Sequence, residues 1–126
     1  MNSTKIISWN VNGIRAIIKK DFLKDIKEIN PDIICLQETK AGEEDALKAL
    51  EVMDGYHLHV NSSKARKGYS GTAILSKRKP LKVINDIGVD FHDLEGRVMF
   101  FENDDFNLVN VYAVSYTHLT LPTTDR

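Results

Sequence analysis

The apolar residues of the first half of the chain follow two different rhythms. Lys5 to Trp9 (KIISW) is a short run with paired isoleucines, a strand signal. After Gly13, Ile14, Ile18, Phe22, Ile26 and Ile29 recur every three or four residues, with Lys19, Lys20, Lys24 and Lys27 set between them. That period puts one apolar stripe on one helix face. Pro31 cannot continue a helix and biases Asn30 away from the helical region, so one helix is expected from Gly13 to Asn30. Asp32 to Gln37 (DIICLQ) is a continuous apolar run of strand length, as a strand buried on both faces requires. Strand, helix and strand in this order form a βαβ-type pattern.

Beyond it, Glu43 to Glu51 reads as a short helix with acids in its first turn, where the helix dipole favours them. Tyr56–Asn61 and Gly71–Ser76 read as strands. Val98–Phe101 and Phe106–Tyr112 read as a hairpin closed by Glu102-Asn103-Asp104-Asp105, whose Asn and Asp suit a turn. No internal repeat or low-complexity linker interrupts the pattern. The class is α/β or α+β, with strands crowding the second half.

The size and composition fit one globular unit. The chain has 126 residues, 42% hydrophobic and 28% charged, enough for one core and too few for two full domains. The net charge of -1 predicts neither a nucleic-acid nor a membrane partner. Locally the picture changes: Asn61 to Lys82 carries Lys64, Arg66, Lys67, Lys77, Arg78, Lys79 and Lys82 with no acid, whereas Val83 to Tyr112 is acidic apart from Arg97. One cysteine, Cys35, excludes an internal disulfide framework, and its place in an apolar strand marks it as core. His57 and His59 share a strand face but have no evident third ligand. No apolar run approaches ~18 residues and no signal peptide is evident, so a cytoplasmic chain is expected.

Three stretches carry candidate chemistry. In Ser8–Ala16 (SWNVNGIRA), Asn10 and Asn12 lie at the carboxyl end of a predicted strand, where open α/β sheets place ligands. They could orient a phosphate or a metal-bound water, or simply cap the following helix. In LQETK, Glu38 ends a buried strand at that same edge. A hard cation such as Mg²⁺ takes oxygen ligands and often only one or two carboxylates. Lys40 could tune that acid or merely pair with it at the surface. In Lys67-Gly68-Tyr69-Ser70-Gly71-Thr72 two glycines permit close backbone approach, Tyr69 offers a ring and hydroxyl, and Ser70 offers a donor. A phosphate-contact loop and a plain strand-entry turn explain this segment equally well.

Taken in order, WNVNGIRA, LQETK, GYSGT and Glu95-Gly96-Arg97 resemble the first half of the exodeoxyribonuclease III family. These are the class II abasic-site endonucleases of the endonuclease/exonuclease/phosphatase superfamily. The resemblance covers about Lys5 to Tyr112 and is closest to bacterial members. It implies the N-terminal half of a four-layered, DNase I-like α/β sandwich with mixed, mostly antiparallel sheets. It implies Mg²⁺ or Mn²⁺ bound through Glu38, with Asn10 lining the metal and phosphate site and Lys40 supporting its acids. It brings Arg15, Lys20, Lys67, Gly68, Tyr69, Ser70 and Arg97 to DNA, with Glu95 and Arg97 near the floor of the site. The implied reaction is hydrolysis of the phosphodiester 5′ to an abasic site, with 3′→5′ exonuclease activity. The implied partner is double-stranded DNA with abasic sites or 3′ ends, and the implied full-length state is a monomer away from membranes. A phosphodiesterase or phosphatase of the same superfamily acting on a small molecule or lipid is the alternative. A non-enzymatic DNA-binding or inert fragment is the other.

The chain departs from the family pattern after Tyr112. The family's Tyr-x-Pro-Asn continuation is replaced by Ala113-Val114-Ser115, and its Gly-Asp-x-Asn and Ser-Asp-His segments have no match here. His118 lacks the preceding Asp. Residues 1–113 are therefore expected to form a partial domain, inactive alone. Val114–Arg126, rich in threonine, is expected to be a non-native tail, since it resembles translated sequencing-adapter bases. With half of the layered core missing, apolar side chains near Ile33, Ile74 and Val109 are expected to be partly uncovered.

Overall fold

A computed structural model of the chain describes residues 3–88 and 93–113. The 114–126 segment, with His118, and His92 lie outside the described residues. Strand β1 (Ile6–Asn10) leads into helix α1 (Ile14–Ile18), helix α2 (Phe22–Ile29) and strand β2 (Ile33–Gln37). Helix α3 (Glu43–Leu50) follows, then strands β3 (His57–Asn61), β4 (Thr72–Ser76), β5 (Lys82–Asn85), β6 (Val98–Glu102) and β7 (Asn107–Val111). One sheet has the order β1-β2-β4-β3, in which β1 and β2 are parallel and the other pairs antiparallel. The other sheet is the antiparallel set β5-β6-β7.

Strand β2 organises both cores. Side chains alternate across a strand, so Ile34 and Leu36 meet Ile14, Phe22, Ile26 and Leu50 on the helical side. Ile33 and Cys35 meet Ile74, Met99 and Phe101 between the sheets. Helices, four-stranded sheet and three-stranded sheet thus form three layers of an α/β sandwich. Burial raises the Cys35 thiol to about 11, so it stays a neutral core side chain.

The structure corrects the helix. The single stripe from Ile14 to Ile29 is carried by two helices that break at Lys19–Asp21. There the ladder tightens: the N–H groups of Lys19 and Lys20 donate three residues back, to the carbonyls of Ala16 and Ile17. An unbroken helix of that span would run about 25 Å, whereas a five-residue strand covers only about 17 Å. The break keeps α2 over the sheet, where Phe22 stacks at 5.0 Å on Trp9. Asn30 ends α2 in the left-handed region (φ 51°). Strand β5 was not expected from the sequence; its short Lys-Val-Ile-Asn run lies on a sheet edge.

The uncovered surface lies where it was expected at Val109 but not at Ile33 and Ile74. Ile33 and Ile74 are buried, because the second sheet lies on them. Val109 is 48% exposed, and its partners across the outer face, Phe100 and Ile84, are 37% and 46% exposed. Bare apolar area therefore sits on the outer face of β5-β6-β7, a surface that favours association.

His59 belongs to the inter-sheet core rather than to a metal site. Its ring lies edge-on to Phe101 at 6.1 Å, and its Nε2 is buried without a hydrogen-bond partner. Burial, with the charge of His57, holds its pKa below the usual 6.5. The folded state therefore takes up this proton less readily than the unfolded chain. Stability should fall as pH drops below 6.5 and through the lower folded-state value. Urea midpoints at about pH 7.5 and about pH 5 should differ less in His59→Leu than in the parent chain. An equal difference would place the titration elsewhere.

Candidate active site

Three segments that are far apart in sequence meet where β1 and β2 end. The backbone locks them first. The N–H groups of Gly13 and Ile14 donate to the carbonyls of Glu38 and Thr39 at 2.8 and 2.9 Å. On the other side, the N–H groups of Thr39 and Lys40 donate to the carbonyls of Gly71 and Ser70 at 3.1 and 2.8 Å. Glu38, Lys40, Asn12 and Ser70 all adopt positive φ, between 47° and 58°. Such conformations cost about 1–3 kcal/mol each and persist only where their surroundings enforce them.

On this frame sits a polar cluster. The Asn10 Nδ2 donates to Glu38 Oε1 at 3.0 Å. The Asn12 backbone N–H donates to Asn10 Oδ1 at 3.1 Å. Lys40 Nζ donates to Asn12 Oδ1 at 2.6 Å and lies 3.4 Å from Glu38 Oε2. Since a backbone N–H can only donate, it fixes the Asn10 amide with its nitrogen toward Glu38. Asn10 thus orients the carboxylate. Neither asparagine caps α1, whose N-cap residue is Gly13 and which has no side-chain cap hydrogen bond. The Asn10 hydrogen bond holds the Glu38 carboxyl below its usual 4.5; burial opposes this and Lys40 adds to it.

A second cluster adjoins the first. The Arg97 Nε and Nη2 both reach Glu95 Oε1, at 2.7 and 2.6 Å, and Nη2 donates to the Tyr69 hydroxyl at 2.9 Å. Arg66 stacks over the Tyr69 ring at 4.2 Å and Arg97 over the Tyr112 ring at 4.9 Å. Burial works against the Arg97 charge, but Glu95 outweighs it and holds the guanidinium above its usual value. Tyr112 joins the clusters: burial first, then the Glu38 charge, raises its phenol above 10.

The other predicted residues take several positions. Arg15 reaches the Lys40 carbonyl at 3.3 Å and Asp45 of α3 at 3.7 Å. Lys20 is exposed in the turn after α1, at the far end of that helix from Glu38. Lys67 and Gly68 are exposed beside Arg66 in the loop before β4. Ser70 departs from its expected part: its hydroxyl is buried, so it offers the site its carbonyl rather than a surface donor. Gln37, Asn110 and Tyr112 were missed. The available signal was Asn110, a polar residue at an inward position of the alternating NLVNV strand.

The oxygen-only donors suit a hard cation: Glu38 brings one carboxylate, whose Oε2 lies 3.4 Å from Lys40 Nζ. No group of three His, Cys, Asp or Glu side chains placed to hold a metal occurs among the described residues.

Residues 7–126 match the Endonuclease/Exonuclease/phosphatase family. The chain belongs to that family. Its relatives place it in the AP endonuclease and exodeoxyribonuclease branch. It is 51% identical over 110 residues to an exodeoxyribonuclease of Bacillus subtilis, which covers 86% of this chain and 42% of that one. It is 41% identical over 111 residues to a DNA-(apurinic or apyrimidinic site) endonuclease of Dictyostelium discoideum, covering 88% of this chain and 30% of the other. In structure it resembles an AP endonuclease from Archaeoglobus fulgidus with a TM-score of 0.75 at 31% identity, over 87% of this chain and 41% of that one. A 3′-5′ exonuclease from Neisseria meningitidis gives 0.71 at 30% identity. The chain spans about two fifths of the Bacillus relative and of the archaeal structure. No helix among the described residues is long and apolar enough to cross a membrane.

Proposed function

We propose that this chain is the metal- and phosphate-facing part of a DNA-repair nuclease that hydrolyses the phosphodiester 5′ to abasic sites and trims 3′ ends. The observation that carries this reading is the convergence of Asn10–Glu38–Lys40 with Tyr69–Glu95–Arg97–Tyr112 on one sheet end, beside a basic, aromatic loop. Glu38 is the carboxylate that would hold Mg²⁺ or Mn²⁺. Bound there, the cation would offset charge on the phosphate and on the leaving oxygen. Asn10 keeps that carboxylate turned toward the site and, with Lys40 adding to it, favours its ionised form. The Arg66–Tyr69 stack and Lys67 offer a cation and a flat ring to a sugar–phosphate backbone. Such contacts position DNA without reading its sequence. Arg15 and Lys20 extend that basic surface along α1. A cytoplasmic location and a monomeric full-length state accompany this reading.

A chimera carries the test. Residues 3–113 replace the matching part of the Bacillus exodeoxyribonuclease, so that the whole length of a relative is present. With Mg²⁺ it should cleave a labelled abasic duplex 5′ to the lesion. The 126-residue chain alone should not, because holding the metal, aligning water and offsetting charge must occur together. A chimera that turns over only small-molecule or lipid phosphodiesters would overturn the reading. Cleavage by the chain alone, abolished by both Glu38→Ala and EDTA, would overturn the expectation of inactivity.

A further inference from the structure

The ends of four strands near the site are tied by one set of side-chain amides that the reaction itself does not use. Asn110 of β7 is 3% exposed, between the sheets. Its Nδ2 donates to the carbonyls of Leu36 on β2 and Ala73 on β4, at 3.0 and 2.9 Å. Its Oδ1 accepts from Gln37 Nε2 at 2.9 Å. The same Gln37 nitrogen donates to Ser8 Oγ on β1 at 3.0 Å, so its two hydrogens are both used. The buried Asn110 amide has both its nitrogen and its oxygen bonded.

An apolar side chain at position 110 would continue the inward pattern of β7 without the desolvation that an amide incurs. What the amide adds is definition, since fully satisfied buried polar groups fix a single arrangement. The arrangement it fixes is the one the site needs. Among the described residues, strand β1 is an edge strand, bonded along one side only. Gln37 is the register partner of Asn10, immediately precedes Glu38, and reaches Ser8 on the face that Asn10 shares. Two residues beyond Asn110 the chain delivers Tyr112.

We infer that Gln37 and Asn110 are positioning residues, whose amides hold the ends of β1, β2, β4 and β7 so that the Asn10 amide meets the Glu38 carboxylate. This deepens the reading of Glu38 as metal-holding, and rests on that reading only where metal affinity is concerned.

Gln37→Met separates positioning from mere stability. It keeps the side-chain length and leaves the two donations of Asn110 to Leu36 and Ala73 intact. In the metal-free 126-residue chain, the Asn10 side-chain amide observed by proton–nitrogen NMR should lose its hydrogen-bonded shift and its exchange protection. The thermal midpoint should fall by several degrees, because the buried Asn110 Oδ1 loses its Gln37 donor, but the transition should stay cooperative. Ser8→Ala, which removes only an exposed acceptor, should move the same resonance part of the way and serves if Gln37→Met does not fold. An unchanged Asn10 resonance in the folded variants overturns the inference.

Mn²⁺ is then titrated and followed by the electron-spin signal of the free ion. Partners that orient a metal ligand are typically worth about 10–100-fold in affinity, so Gln37→Met should weaken Mn²⁺ binding by about tenfold. Equal Mn²⁺ affinity in Gln37→Met and the parent would also count against it. A parent chain that binds no Mn²⁺, while Gln37→Met still frees the Asn10 amide, would remove the metal reading of Glu38 and leave the positioning role supported.

Discussion

Glu38→Gln in the chimera should lower turnover on abasic DNA by at least about a hundredfold and abolish its ordinary Mg²⁺ titration. The change keeps size and hydrogen-bonding length but removes the charge. Even residues that only orient a metal ligand are worth about 10–100-fold, so losing the carboxylate itself should exceed that range. The neighbours sharpen the effect. Asn10 Nδ2 and Lys40 are placed to bond an ionised acid. A neutral amide would return a weaker bond to the first and leave the second without its counter-charge. Circular dichroism should stay near that of the parent, because Glu38 lies at the rim and not in either core. Normal activity with a normal Mg²⁺ requirement would remove Glu38 from the metal site.

Gly96→Ala should be strongly destabilising. Gly96 has φ +62°, and a Cβ there would lie 2.5 Å from the Asn61 carbonyl oxygen and 2.6 Å from the Ser62 carbonyl carbon. Both are backbone atoms that cannot rotate away. Their own segment is held, since Asn61 Nδ2 bonds Asp86 and the Val98 carbonyl. Left-handed strain and forced overpacking together amount to roughly 2–5 kcal/mol. In a domain of this size that should lower the thermal midpoint by roughly 10 °C or more. Gly68→Ala is the control. Its φ is also positive, at +73°, but nothing lies within 4 Å of the added carbon. It should cost only about 1–2 kcal/mol of backbone strain. Equal midpoints for the two variants would show that the contact at Gly96 yields.

How much of this was legible depends on the kind of signal. Strand β2 was plain because DIICLQ has no polar face to hide, and burial on both sides leaves that mark. The order β1, helix, β2 followed, as did the hairpin of β6 and β7. The break between α1 and α2 was not legible, because the stripe keeps its spacing through Lys19–Asp21. Only the length of the sheet beneath sets where the helix must end. Strand β5 lacked an apolar signature, since Ile84 points outward and pairing with β6 alone defines it. At the site, Asn10, Glu38 and Lys40 were legible from strand-end placement and from family resemblance. The Glu95–Arg97–Tyr69 contacts and the place of Tyr112 were not, because they join residues from separate loops. Ser70 misled for a related reason: sequence gives a hydroxyl, but not the direction in which a left-handed residue turns it.

The backbone locking of Glu38-Thr39-Lys40 bears on which changes in length the chain tolerates. That segment is held on one side by Gly13 and Ile14 and on the other by Ser70 and Gly71, through consecutive main-chain hydrogen bonds. Substituting a side chain there leaves the bonds standing, whereas inserting or deleting one residue slips every later donor past its acceptor. Length variation should therefore collect in the exposed stretch from Arg66 to Gly68, beyond Lys64 and Ala65, whose N–H groups bond the Leu94 carbonyl. Libraries that lengthen or shorten this loop should return folded chains, and those that alter the spacing from Leu36 to Ala41 should not.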